Sequence, residues 1–149
     1  MAEKHIFISL GSNLGNRLDN LTKALISLEA EDIRVLVISA IYETLPWGFE
    51  SNSFYNACAQ LETTMTPIQL LKILLRVEEK LGRVRNSEEG YSARIIDLDI
   101  LSFDDLIINS PLLTLPHPRL HLRNFVLVPL SQIAPSWKHP LLKKSISTL

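Results

Sequence analysis

Within Ile95-Ile96-Asp97-Leu98-Asp99-Ile100-Leu101 two carboxylates stand two residues apart in a run of branched apolar residues. That composition predicts a β-strand, and a strand's period of two puts Asp97 and Asp99 on one face while Ile96, Leu98 and Ile100 point to the other. Aspartate is depleted in strands and neighbouring carboxylates repel, so the pair calls for a compensating cation or for solvent. Magnesium suits such a pair, because it takes one or two carboxylates and completes its shell with water and substrate phosphates. An isolated Asp-x-Asp is more commonly a solvated sheet face. Arg83, Arg85 and Arg94 lie just upstream, where one loop can fold them toward the carboxylates. They read equally as phosphate ligands in one charge-balanced set with a metal, or as plain salt-bridge partners of Asp97, Asp99, Glu88 and Glu89.

Other groups are candidates for binding. Thr44-Leu45-Pro46-Trp47-Gly48-Phe49, followed by Phe54, Tyr55 and Asn56, gathers aromatic rings and an amide that can sandwich and read a flat heterocycle, although any one of these rings is more commonly a core cap. Pro116-His117-Pro118-Arg119, with His121 and Arg123, offers donors in a loop stiffened by two prolines. Gly11-Ser12-Asn13-Leu14-Gly15-Asn16-Arg17 lacks the Gly-Lys-Ser/Thr ending of a phosphate loop and reads as a tight strand-to-helix turn. There is no Cys/His cluster at zinc spacing and no nucleophile-base constellation. Phosphate chemistry by positioning and charge neutralisation fits these residues better.

The elements that must position these groups follow from periodicity. Residues 6–10 predict a strand entering the glycine-containing turn; Leu18, Leu21, Leu25 and Leu28 predict a helix capped by Asn16. Residues 33–42 and 54–61 predict two strands paired antiparallel. Thr66-Pro67-Ile68-Gln69 predicts a capped helix, with Ile68, Leu71, Leu75 and Glu78 on one face and Gly82 as its stop. Residues 94–103 predict a strand, Asp104-Asp105 a turn, and 106–108 a returning hairpin partner. Later prolines predict a tail of loops and short helical pieces. The order strand, helix, two strands, helix, strand is the α+β, ferredoxin-like βαββαβ pattern, an antiparallel sheet with both helices on one face, here followed by a C-terminal extension.

With 149 residues, 46% hydrophobic and 21% charged, the chain is expected to form one domain over residues 1–149. A net charge of -1 argues against non-specific nucleic-acid binding, and the sheet lacks the signature of an RNA-recognition motif. The single cysteine, Cys58, is expected to be a buried, inert thiol. The apolar run at 6–8 is too short for a signal core or a membrane span, so the expected location is cytoplasmic, with no membrane partner. A regulatory ligand-binding domain and a metal-dependent nuclease or phosphatase remain as competing classes.

Several blocks together resemble the 6-hydroxymethyl-7,8-dihydropterin pyrophosphokinase family: Leu10-Gly11-Ser12-Asn13-Leu14-Gly15, Tyr42-Glu43-Thr44, Asn56-Ala57, Gly82-Arg83-Val84-Arg85, Arg94-Ile95-Ile96-Asp97-Leu98-Asp99-Ile100 and Pro116-His117-Pro118-Arg119. They run in the family's order along nearly the whole chain. The resemblance implies ATP as donor, AMP as product, a pterin alcohol as acceptor in folate biosynthesis, and two Mg2+ ions between Asp97, Asp99 and the phosphates. It implies ATP-binding roles for Glu78, Arg83, Arg85, Arg94, His117 and Arg123, with Arg83, Arg94, Asp97 and Asp99 as the catalytic set. Thr44, Leu45, Trp47, Phe54, Asn56 and Phe125 are implied to line the pterin pocket. The chain is expected to act as a monomer. The family commonly has Gly-Pro before the last arginine, where this chain has Ser92-Ala93. The polar segment 84–93 is expected to be a mobile lid over ATP.

Overall fold

A computed structural model describes residues 5–44, 53–82 and 95–149. The predicted roles of Leu45, Trp47, Arg83, Arg85 and Arg94, and the lid expected at 84–93, lie outside the described residues.

Strand β1 (Ile6–Ser12) is followed by helix α1 (Arg17–Glu29), strands β2 (Arg34–Ile38), β3 (Tyr42–Thr44) and β4 (Phe54–Glu62), helix α2 (Pro67–Lys80) and strand β5 (Asp97–Phe103). The sheet runs β2-β4-β1-β5, with β3 also paired to β4, and every pairing is antiparallel. This is the expected ferredoxin-like order, its second strand divided into β2 and β3. The single strand predicted over 33–42 is interrupted because Ser39 turns its hydroxyl to the Ala40 carbonyl and accepts the Cys58 N–H on it, a local side-chain pairing that competes with the ladder.

Both helices begin as their sequences require. The Asn16 side chain accepts the Asp19 N–H at the start of α1, and Thr66 and Gln69 form a reciprocal capping box at the start of α2. Gly82, at φ +105, closes α2 in a conformation that strains any residue with a side chain. The buried face of α1 is Leu21, Ala24 and Leu28; Leu18, at the same helical spacing in the first turn, is exposed. The core side of α2 is Leu70, Ile73, Leu74 and Val77. The stripe read from spacing, Ile68, Leu71, Leu75 and Glu78, is partly buried at its three apolar residues and fully buried at Glu78.

Two apolar clusters sandwich the sheet. On the face covered by α1 and α2 lie Ile6, Ile8, Leu10, Ile96, Leu98 and Ile100. On the other lie Phe7, Cys58, Leu101 and the inner side of α3 (Asn124–Ile133). The C-terminal extension is therefore a structural layer, built as expected of loops and short helical pieces, of which α3, with 10 residues, is the longest. Pro129 is tolerated inside α3 with loss of a single backbone donor. Cys58 is fully buried, and burial pushes its thiol up to about 12.

The hairpin expected between residues 94–103 and 106–108 does not form. Asp104, in the left-handed region at φ 54, turns the chain away and ties itself to His5 through both its N–H and its carboxylate. Ile108–Asn109 (β6) pairs instead with Thr114–Leu115 (β7) as a separate two-stranded ribbon. Among the described residues, no helix is long and apolar enough to cross a membrane.

Candidate active site

Strand β5 is an edge of the sheet, and edge strands carry outward N–H and C=O groups that need covering. Two polar groups do this. The carboxylate of Glu78, reaching from α2 and 1% exposed, accepts the Leu98 N–H at 2.8 Å. Beyond the cis Leu115–Pro116 peptide, the His117 N–H donates to the Leu101 carbonyl at 2.8 Å. The edge is thereby fixed between the aspartates and again two residues beyond them.

Asp97 and Asp99 are half-buried, while Ile96, Leu98 and Ile100 are in the core, as strand alternation requires. Successive same-face residues stand about 6.8 Å apart along a strand. They border a cleft of about 460 Å³ whose lining includes Glu78, Asp97, Asp99, His117 and Arg123. Five residues singled out from sequence are thus brought to one place. The cleft also takes in Leu71 and Leu75 of α2 and residues 110–114 around the β6–β7 ribbon. Sequence reasoning missed that ribbon; the signal available was Ser110-Pro111 between two short apolar runs.

His117 has a defined tautomer. Its Nδ1 accepts the Arg119 N–H at 3.1 Å, so the proton resides on Nε2, which is left to donate. Burial, and then the charges of Arg123 and Arg119, push its pKa down to about 4, against the opposing pull of Asp97. At neutral pH it is an uncharged donor beside a carboxylate pair.

The second group lies one strand further in. Gly11 of β1 stands opposite Asp97 of β5 on one side and Asn56 of β4 on the other. Residues directly opposite share a face, so Asp97, Gly11 and Asn56 form one rung, about 10 Å from end to end at ordinary strand spacing. Asn56 donates from Nδ2 to the Thr44 hydroxyl at 2.9 Å, which fixes the amide. A side chain on residue 11 would stand 3.2 Å from Asn56 Oδ1 and 3.6 Å from the Phe54 ring, so glycine keeps the space between amide and carboxylate open. Phe125, at the start of α3, is partly exposed and carries the Arg123 guanidinium 5.4 Å above its ring. Arg123 thus borders the carboxylate cleft and covers the Phe125 ring. Thr44, Phe54 and Asn56 come together beside the rung.

Among the described residues no group of three or more His, Cys, Asp or Glu is arranged to hold a metal ion. The two carboxylates of β5 match a metal that draws its remaining ligands from phosphates and water, as magnesium does. They do not match a closed protein cage.

Comparison with known proteins gives the chain its family. Residues 7–135 match the family model described as 7,8-dihydro-6-hydroxymethylpterin-pyrophosphokinase (HPPK). The chain is 45% identical over 138 residues to the 2-amino-4-hydroxy-6-hydroxymethyldihydropteridine pyrophosphokinase of Porphyromonas gingivalis, covering 91% of this chain and 93% of that one. It is 42% identical to the folic acid synthesis protein fol1 of Pneumocystis carinii, over 96% of this chain and 19% of the much longer relative. In fold it is similar to the Plasmodium falciparum HPPK-DHPS crystallised with pteroate, at a TM-score of 0.77 and 15% identity, over 97% of this chain and 43% of that one. The chain belongs to the HPPK family.

Proposed function

We propose that this chain transfers pyrophosphate from ATP to the hydroxymethyl group of 6-hydroxymethyl-7,8-dihydropterin, giving AMP and the pterin diphosphate, a step of folate biosynthesis. The observation that carries the reading is the shared rung: Gly11 stands between Asp97 on one neighbouring strand and Asn56 on the other. A nucleotide triphosphate at the carboxylates and a flat heterocycle at the amide are then adjacent, in a fold whose relatives are named for this reaction.

The pterin hydroxyl oxygen bonds to the β-phosphorus as the bond from that phosphorus to the α,β-bridging oxygen breaks; AMP departs with the bridging oxygen, and the hydroxyl proton passes to water or a phosphate oxygen. Asp97 and Asp99 would hold two Mg2+ ions, which when bound neutralise charge on the phosphates. The His117 Nε2–H and the Arg123 guanidinium, which line the same cleft, donate to phosphate oxygens. Glu78 holds the edge strand that carries the aspartates. Asn56, oriented by Thr44, reads the pterin's polar edge, with Phe54 and Phe125 against its faces. By the family resemblance Leu45 and Trp47 are assigned to the pterin, and Arg83, Arg85 and Arg94 to the phosphates. The unit is residues 1–149, acting as a monomer.

The test is AMP formation from ATP and Mg2+ with and without the pterin, in the wild-type chain and an Asp97→Ala, Asp99→Ala double variant. Pterin-dependent AMP is expected from the wild type and a loss of at least about a thousandfold from the variant, as when a metal clamp is removed. Phosphate release without pterin would identify a hydrolase instead.

A further inference from the structure

Helix α1 opens with Arg17, and its side chain turns toward β3 and β4. Nη1 donates to the Ser53 carbonyl at 2.9 Å and to the Ser53 hydroxyl at 2.6 Å, and lies 3.4 Å from the Glu43 carboxylate. The Ser53 hydroxyl donates in turn to Glu43. The guanidinium carbon sits 3.9 Å over the Tyr55 ring. One side chain therefore engages β3 through Glu43, and β4 through Tyr55 and through Ser53, the residue that precedes the strand.

Strand β3 has three residues and pairs only with β4, through Tyr42 opposite Asn56, Glu43 opposite Tyr55, and Thr44 opposite Phe54. So short a pairing is weak by itself. Its middle rung faces Arg17, and its two outer rungs face the other way, bearing Thr44, Phe54 and Asn56. An exposed Arg-Glu pair contributes little in isolation. Here the same guanidinium also takes two oxygens of Ser53 and stacks on an aromatic ring, a combination that a lysine's point charge does not reproduce.

We infer that Arg17 is a positioning residue for the pterin pocket, clasping the β3–β4 ladder from the helix face so that the Thr44–Asn56 pair on the opposite face holds its geometry. The inference rests on the function proposed above and adds a specificity element outside the cleft. It acts on one substrate only, since none of the groups it holds borders the carboxylate cleft.

The experiment compares wild type with Arg17→Ala, Arg17→Lys and Glu43→Gln in steady-state AMP formation, varying pterin and Mg-ATP separately, and in amide hydrogen exchange of the ligand-free proteins. The Ala variant is expected to raise the pterin KM about tenfold, the effect of losing preorganisation at one site, with kcat and the Mg-ATP KM within about twofold. Lys is expected to fall between, and Glu43→Gln to shift the pterin KM in the same direction by less. Amides 42–44 and 54–56 are expected to exchange faster in Arg17→Ala. An equal rise in both KM values, or a lowered melting temperature with the pterin KM unchanged, would overturn the clasp. If the wild type makes no pterin-dependent AMP, the proposed function fails by itself, and unchanged exchange at those amides would still refute the clasp.

Discussion

Replacing Glu78 tests whether the aspartate strand is held by its neighbour or by its own pairing. Glu78 is 1% exposed, and its carboxylate accepts the Leu98 N–H at 2.8 Å, midway between Asp97 and Asp99 on an edge strand. Glutamine keeps an acceptor of nearly the same shape for Leu98, so at this bond Glu78→Gln loses the charge assistance, about 1 kcal/mol. Leucine removes the acceptor and leaves a buried N–H without its partner, costing about 2–3 kcal/mol. For a chain of this size each kcal/mol moves the melting temperature by about 2–4 °C, which predicts a fall of about 3 °C for Gln and about 4–12 °C for Leu. Because the lost bond lies between the two carboxylates, the Mg-ATP KM should rise with the loss of stability, more in Leu than in Gln, while the pterin KM changes little. Calorimetry and steady-state kinetics on the same preparations decide it. A Glu78→Leu protein as stable as wild type, with an unaltered Mg-ATP KM, would show that β1 alone fixes β5.

Two further outcomes follow from the geometry of the site. Gly11→Ala places a methyl 3.2 Å from Asn56 Oδ1, so the amide must shift by a few tenths of an ångström; the pterin KM should rise about threefold to tenfold, and Gly11→Val, which fills the rung, should abolish turnover in a protein that still folds by circular dichroism. His117 is held down at about 4 from 6.5, so between those values the unfolded chain binds more protons than the folded one. The stability contributed by the neutral imidazole is therefore complete above pH 6.5 and is lost as pH falls toward 4. Its magnitude is about 1–2 kcal/mol after solvent screening. His117→Asn should flatten that part of the melting-temperature profile, with a smaller residual slope from His139, which burial and His121 also push down.

What could be read from the sequence was whatever depends on local chemistry. The Thr66–Gln69 capping box, the Asn16 cap and the alternation through Asp97 and Asp99 are each decided within a few residues, and each stands in the structure. Failures occurred where the decision is made at a distance. Residues 106–108 carry strand-forming chemistry, but their partner is chosen by Asp104, which binds His5 at the far end of the chain. Leu71 and Leu75 share a stripe with Glu78, yet border the cleft because the β6–β7 ribbon stands opposite them. Arg17 looks like the first polar residue of a helix, and only the antiparallel return of β4 brings Ser53 and Tyr55 to it.

The placement of the site follows from how this sheet divides its two faces. The face toward α1 and α2 is apolar along β1 and β5 and supplies the larger core. On the opposite face α3 packs against the lower half of the sheet, over Phe7, Cys58 and Leu101. The rungs beyond α3's start carry Gly11, Asn56, Asp97 and Asp99, residues whose burial under a helix would strand polar groups without partners. A longer apolar α3 would cover them at that cost, and Phe125 with Arg123 marks where the covering stops. Since the same strands continue from the packed region into the polar rungs, the core fixes the spacing of amide and carboxylate to within the rigidity of a paired sheet. That is the precision an in-line transfer between two bound substrates requires.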